Sequence, residues 1–288
     1  MILVDLNQVL LAGLMAQIAN QKPKLQLEEG LIRHMVLNII RTHLKNFREQ
    51  YGEVVLCCDN RKYWRKEFFP LYKAHRKKAR EKSDLDWHLI FDMLAKFKQE
   101  LRDNFPYKVI DVEGAEADDI IGTLAPRAVM HEDVLIISSD GDFLQLQMYN
   151  GQKFGHTIKQ YNPAQKKFVK SDNPSLELKE KIIRGDKGDG IPNIFSPSDC
   201  FVRDLRQKPI TQKIMDKYLN EDVANWSETD KANFSRNETL INLENIPAEL
   251  KAQIINNYND VKVGSRQKLL NYFIEYKLKN LIDVIEEF

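Results

Sequence analysis

Four short apolar runs lie in the first half of this chain. Each is closed by carboxylates, and helical stretches separate them. Ile2-Leu3-Val4 ends at Asp5, and Val54-Val55-Leu56-Cys57-Cys58 ends at Asp59. Val109-Ile110 is followed by Glu116, Asp118 and Asp119, and Val134-Leu135-Ile136-Ile137 by Asp140 and Asp142. Unbroken apolar runs of this length read as strands buried on both faces. Their alternation with helices predicts an α/β fold built on a mainly parallel sheet with helices on both faces. In such a sheet the carboxyl ends of the strands meet one edge, where ligands bind. Carboxylates gathered there repel one another unless something positive stands among them, and hard divalent cations are the usual answer.

The helices are legible from their periods. One is expected after the first strand to about Ala19. A second is expected over 28–50, where Ile32, Met35, Val36, Ile39, Ile40, Leu44 and Phe47 recur at three- and four-residue intervals before Gly52. Leu85 to Asn104, Ala115 to Met130 and Asp142 to Tyr149 also read as helices, while 60–83 has no clear period. Strands are expected at Tyr107 to Val112 and Val134 to Ser139. Past about residue 175 helical stretches dominate, at 175–184, 209–219, 247–258, 265–276 and 278–287. The expected organisation is an α/β domain over 1–175 and a helical subdomain over 176–288.

With 43 basic and 42 acidic residues the net charge is +1, so the total argues neither for nor against a nucleic-acid partner; the segregation of charge decides. The three cysteines show no metal-binding spacing, and two are adjacent in an apolar run. This suits buried, reduced thiols and a reducing compartment. No signal peptide is read, and no apolar stretch approaches the ~20 residues that cross a bilayer. The expectation is a cytoplasmic protein without a membrane partner.

Each carboxylate has a bland reading. Asp5 and Asp59 suit turns or caps. Glu116, Asp118 and Asp119 suit a helix N-terminus through its dipole. Asp140-Gly141-Asp142 suits an ordinary turn, with Gly141 supplying an unusual backbone angle. Together these readings require independent caps at successive strand ends, whereas one shared metal site accounts for all of them. Glu116 and Asp119, three apart, share a helix face and could point at one cation. Ser138, Ser139 and Gly141 leave room for a phosphate. Two Mg²⁺ ions roughly 3.5–4 Å apart would neutralise a phosphodiester, activate water and stabilise the leaving oxygen.

Residues 61–82 carry Arg61, Lys62, Arg65, Lys66, Lys73, Arg76, Lys77, Lys78, Arg80 and Lys82 against only Glu67 and Glu81, with Tyr63, Trp64 and Tyr72 interleaved. A charge run is ordinarily a solvated face. This one directly follows Asp59, and a cationic segment beside an acidic cluster suits a polyanion, with aromatic and arginine side chains to stack on bases. Further on, Gly185-Asp186-Lys187-Gly188-Asp189-Gly190-Ile191-Pro192 is too rich in turn formers to continue a helix. Its amides could hold a phosphate, and Asp186 and Asp189 could face the metal cluster. The bland alternative is a helix C-cap and turn.

In this order the motifs resemble those of the structure-specific 5′ nucleases, or flap endonucleases, and within them the phage RNase H branch of the T-even type. The likeness rests on Val4-Asp5, Cys58-Asp59-Asn60, Tyr63-Trp64-Arg65, Tyr72-Lys73 with Arg76, Glu116-Ala117-Asp118-Asp119, Ile136 to Phe143, and Gly185 to Asp189. Leu240 to Leu243 and Ile246-Pro247 add a weaker likeness. The resemblance implies a PIN-like nuclease core, a helical arch at about 61–84, and a C-terminal helix–turn–helix that grips duplex DNA. It implies that Asp5, Asp59, Glu116, Asp118, Asp119, Asp140, Asp142, Asp186 and Asp189 surround two Mg²⁺ ions, with Mn²⁺ able to substitute. It places Lys73 and Arg76 on the scissile phosphate and Tyr72 on a nucleobase, with Arg65, Lys77, Arg80, Gly188 and Gly190 also contacting nucleic acid. In some members the turn binds a monovalent cation. Here Gly190 stands for an asparagine, Asn193 for a glycine and Ser196-Pro197-Ser198 for the rest of the pattern. That departure bears on the monovalent cation and the duplex grip, and leaves Asp186 and Asp189 untouched.

The resemblance implies a monomeric, divalent-metal-dependent 5′→3′ exonuclease and flap endonuclease with RNase H activity. Its substrates would be RNA–DNA hybrids and branched or nicked DNA, during primer removal in lagging-strand replication. If phage-encoded, it would act in the host cytoplasm, with a single-strand-binding protein and a sliding clamp as family partners. The rivals are a PIN-type single-strand ribonuclease, which is shorter and lacks the basic segment, and a branch-binding protein that has lost catalysis. A haloacid-dehalogenase-type phosphatase needs Asp-x-Asp at the first strand, where Asp5-Leu6-Asn7 offers one carboxylate.

Overall fold

A computed structural model of the chain describes residues 1–20, 29–83, 85–151 and 155–288; residues 28 and 84, within the expected helix and arch, lie outside the described residues. The apolar runs form β1 (Ile2–Asp5), β2 (Val54–Cys57), β3 (Lys108–Ile110) and β4 (Val134–Ile137). Two further strands, β5 (Ile158–Asn162) and β6 (Lys167–Val169), extend the sheet and were not anticipated from the pattern. The strand order is β3-β2-β1-β4-β5-β6, parallel throughout except for the edge pair β5 and β6. The order reverses between β1 and β4. That switch point opens a crevice beyond the strands' carboxyl ends, where Asp5 and Asp140 lie.

The first helices are α1 (Leu6–Asn20), α2 (Glu29–Tyr51), α3 (Trp64–Phe68), α4 (His75–Glu81), α5 (Trp87–Asn104) and α6 (Ala117–Ala128). The expected helix after β4 is a 3-10 helix, Gly141–Tyr149. Then follow α7 (Pro174–Arg184), α8 (Gln212–Asn220), α9 (Glu228–Ile241), α10 (Ala248–Asp260), α11 (Arg266–Glu275) and α12 (Lys279–Ile282).

Alternation along the strands sends side chains into two cores. Ile2, Val4, Val54, Leu56, Leu135 and Ile137 face one, which includes Leu37, Leu101, Phe273 and Leu281. Leu3, Val55, Cys57, Val134 and Ile136 face the other, with Ile120, Ile121, Leu250 and Ile254. Helices α10, α11 and α12 therefore pack in the layers of the sheet although they come last in the chain. A third core gathers Ile182, Ile183, Ile191, Ile194, Met215, Trp226, Phe234, Leu240 and Ile241, and draws in Phe69 and Tyr72 of the basic segment. A buried ion pair between α2 and α5 also ties in α11. Arg33 donates to Glu100 through two nitrogens at 3.0 and 2.8 Å, and the Tyr272 hydroxyl donates to the same carboxylate at 2.5 Å.

Because Phe273 is fully buried in the first core, Phe273→Ala is expected to lower the unfolding free energy by about 3–5 kcal/mol. Urea unfolding measures it. A loss below about 1 kcal/mol, or a separate early transition, would show α11 to be merely appended.

Candidate active site

The carboxyl ends of the parallel strands bring the acidic residues together. Asp5, the last residue of β1, is buried. One of its oxygens accepts the Gln8 backbone N–H at 3.2 Å and the other the Ser138 hydroxyl at 3.0 Å. Burial, and then the charges of Asp59 and Asp140, push its pKa up to about 7. Asp59 lies two residues past β2 and accepts the Ala117 N–H at 2.8 Å, at the start of α6. Glu116 and Asp118 come from the same helix start. Burial raises the Asp118 pKa well above its ordinary value, and Asp140, Asp5 and Glu116 push in the same direction. Asp140 follows β4. Its amide donates to Ser138 Oγ at 3.0 Å, and its carboxylate accepts the Asp142 N–H at 2.9 Å. The Gln160 side chain from β5 donates to the carbonyls of Ser138 and Asp140, fixing this bend.

The glycine turn supplies the opposite wall. Gly185 ends α7 with φ +68°, in the left-handed region, and a Cβ there would lie 2.3 Å from the Ile191 carbonyl oxygen. Asp186 and Ile191 exchange backbone hydrogen bonds at 2.8 and 2.7 Å, closing the loop. The Asn237 amide of α9, fully buried, donates to the carbonyls of Ile182 and Pro192 at 2.9 and 2.8 Å and clamps its two limbs. The Asp189 amide donates to the Asp186 carboxylate at 3.1 Å.

Cations from the flanking segments stand among these acids. Lys73, with φ +56°, lies with its ammonium 2.6 Å from Glu116 and 3.7 Å from Asp189. Burial opposes its charge, but Asp189 and Glu116 outweigh burial and hold its pKa above the ordinary value. Arg76 meets Asp189 at 2.6 Å and the Gly188 carbonyl at 2.9 Å. Lys181 of α7 pairs with Asp142 and lies 2.9 Å from Asp186. Burial opposes ionisation of Asp186 as well, yet Lys181 outweighs it and leaves that carboxyl below its ordinary pKa. Among the described residues, no three potential ligands already close around one point. The donor set nevertheless fits a hard cation. It is all oxygen and mutually repelling, and Asp118, half-buried in its midst, has no hydrogen-bonding protein partner among the described residues.

Some expectations are corrected. Asp119 is fully buried with one oxygen bound to Arg65 (2.8 Å) and the Trp64 indole (3.1 Å) and the other to the Glu116 N–H (2.8 Å), so it does not point at a shared cation. Arg65 is buried against Glu116, Asp119 and the Leu240 carbonyl, out of reach of nucleic acid. Tyr72 is 1% exposed, and its hydroxyl is bonded to Glu116 and Asp189, so it presents no face to a base. Gly190 is buried beneath His75, while Gly188 is exposed. Gly141 has no left-handed backbone angle. Lys77 and Arg80 are exposed on α4. Ser138, small in the sequence pattern, also donates its hydroxyl to Asp5. Gln160, Lys181 and Asn237 escaped the sequence reading, since two of them lie on β5 and α9, elements whose patterns gave no signal.

This geometry, an acidic crevice at the switch point of a parallel sheet with a basic segment over it, defines a metal-assisted phosphodiesterase class of site. Residues 1–173 match the family described as the 5′-3′ exonuclease, N-terminal resolvase-like domain, and residues 172–288 match T4 RNase H, C terminal. The chain belongs to the 5′-3′ exonuclease family and is a 5′ nuclease. The ribonuclease H of Enterobacteria phage T4 is 34% identical over 298 residues, covering 99% of this chain and 95% of that protein. A 5′-3′ exonuclease of Streptomyces coelicolor is 28% identical over 55% of this chain and 56% of its own length. The fold is shared with T5 D15 protein co-crystallised with metal ions (TM-score 0.58, 17% identity, 90% of this chain and 97% of that one). It is also shared with T5 5′-exonuclease bound to zinc (TM-score 0.57, 14% identity, 91% and 98%).

The two glycines should separate cleanly. Gly185→Ala forces a Cβ into the Ile191 and Pro192 backbone, whereas nothing lies within 4 Å of a Cβ at Gly141. Gly185→Ala is expected to cost more than about 2 kcal/mol and Gly141→Ala less than about 1 kcal/mol, read from chemical denaturation of the two variants.

Proposed function

We propose that the acidic edge holds two Mg²⁺ ions, which Mn²⁺ can replace. In this reading the enzyme is a 5′→3′ exonuclease and flap endonuclease that hydrolyses phosphodiesters of RNA–DNA hybrids and 5′-branched DNA. The observation that carries the reading is the convergence of Asp5, Asp59, Glu116, Asp118, Asp140, Asp142, Asp186 and Asp189 around a cluster whose buried members resist ionisation. The T4 relative's name, ribonuclease H, supports the hybrid substrate, and the metal-bearing T5 structures support the cofactor. When bound, a divalent pair supplies charge neutralisation, an acidified water and stabilisation of the leaving oxygen.

The chain's own residues prepare the rest. Gln160 fixes the turn that carries Asp140, and the Ser138 hydroxyl on that turn holds Asp5. Lys73 and Arg76, now paired with Glu116 and Asp189, stand beside the acids of the crevice. They would exchange carboxylate for phosphate oxygens and stabilise the charge that develops there. Exposed Lys77 and Arg80 would follow the backbone of the strand outside. No described helix is long and apolar enough to cross a membrane. Work in primer removal would bring the enzyme, acting as a monomer in the cytoplasm, to single-strand-binding protein and a sliding clamp.

Asp140→Asn combined with Asp142→Asn is expected to abolish cleavage of a 5′-end-labelled flap and of an RNA–DNA hybrid, with flap binding largely kept in a gel-shift assay. The wild-type enzyme should be silent in EDTA and recover with Mg²⁺. Full cleavage by the double variant, or cleavage in EDTA, would sink the metal assignment.

A further inference from the structure

One cation of the basic segment faces away from the crevice. Arg65, the second residue of α3, leaves 3% of its side chain exposed. Its Nη1 donates to Glu116 Oε2 at 3.1 Å and to Asp119 Oδ1 at 2.8 Å, and its Nε donates to the Leu240 carbonyl at 2.9 Å, near the end of α9. The guanidinium lies 4.8 Å from the centre of the Trp64 ring, whose indole N–H also donates to Asp119 at 3.1 Å. Asp119 in turn accepts the backbone N–H of Glu116 at 2.8 Å. Glu116 is thus held at its carboxylate by Arg65 and at its backbone by Asp119. The Nε of the same guanidinium bonds the helix whose Asn237 clamps the glycine turn.

We propose that Arg65 is a positioning residue. Anchored by Asp119, it orients Glu116 toward the metal cluster and ties that orientation to α9, and so to the turn carrying Asp186 and Asp189. The proposal rests on the reading of the edge as a divalent-metal site. Glu116 also contacts Lys73 and Tyr72, and Lys73 is free to leave for substrate. Of the two cations on Glu116, Arg65 is the one shielded from solvent together with its partner. Side chains behind a ligand raise metal affinity by removing the ligand's freedom before the metal arrives. Lysine keeps the charge but has no planar fork to span two carboxylates and a carbonyl. A plain counter-charge acts oppositely: removing it from a carboxylate cluster makes a cation bind more tightly.

The full-length protein and its Arg65→Lys, Arg65→Gln and Asp119→Asn variants would be compared. Mn²⁺ binding is read by electron paramagnetic resonance of the free ion, flap cleavage as kcat and KM against Mg²⁺, and folding by urea denaturation. Arg65→Lys should fold, keep KM for the flap, lower kcat and raise the Mn²⁺ dissociation constant, each on the order of 10–100-fold. Asp119→Asn should move both in the same direction. If Arg65→Gln does not fold, these two variants carry the test. Unchanged Mn²⁺ affinity and kcat in folded Arg65→Lys and Asp119→Asn would overturn the proposal, as would tighter Mn²⁺ binding by Arg65→Gln. A wild-type protein that binds no Mn²⁺ would overturn the metal reading first, and the positioning role with it.

Discussion

Parallel strands that end in carboxylates force like charges together. Once β1, β2 and β4 run side by side in one direction, Asp5, Asp59 and Asp140 have nowhere to go but the same edge. The cost is visible in Asp5, Asp118 and Asp140, whose ionisation is opposed first by burial and also by neighbouring carboxylates. Strand geometry offers no relief, because the opposing charges must come from outside the sheet. They come from both sides of the crevice, Arg65, Lys73 and Arg76 from the segment after β2 and Lys181 from α7. The repulsion at the sheet edge therefore determines where the basic segment and the glycine turn dock.

Charge alone would hold these pieces loosely, since ion pairs near solvent are weak and exchangeable. The attachment is made firm by apolar contact. Phe69 and Tyr72 enter the core formed by Ile182, Ile183, Trp226 and Phe234, so the base of the basic segment is anchored in the same cluster as α7 and α9. Lys73 and Arg76 sit just past that anchor. Their side chains can change partners while the backbone stays in place, the Lys73 amide bonded to the Asp189 carbonyl at 2.7 Å. A site that must release protein carboxylates and take up phosphate oxygens needs this combination of fixed backbone and exchangeable heads.

The sheet was legible because strands buried on both faces are written as continuous apolar runs, and the acids closing them needed only direction to become a site. What escaped lacks such a run. β5, Ile158-Lys159-Gln160-Tyr161-Asn162, buries polar Gln160 and Asn162 because they bond the bend after β4, so its inward residues do not look inward. Helix α9, Glu228 to Ile241, has its buried positions at Phe234, Asn237, Leu240 and Ile241, and the central one is an amide employed to clamp the glycine turn. In both elements a functional polar residue occupies a place that periodicity reserves for an apolar one. The segment Gly141–Tyr149, expected as a helix, takes the 3-10 form, with Asp140 capping its first turn at the Asp142 amide.

The basic segment shows a different limit. Its composition counts cations but does not say which way they face. Direction is set by a tertiary contact: Tyr63 bridges Gly114, and the Trp64 N–H bonds the Gly114 carbonyl at 3.0 Å, which lays α3 against the start of α6. With that contact made, Arg65 must meet Glu116 and Asp119, while Arg61, Lys62 and Lys66 remain outside. A buried carboxylate left without a partner is costly, so the inward place goes to the residue whose planar fork can satisfy several acceptors, and that is arginine rather than lysine. The segment's charges divide accordingly: those consumed in holding the acids in place, and those on α4 and the approach to α3 that remain for a polyanion to meet.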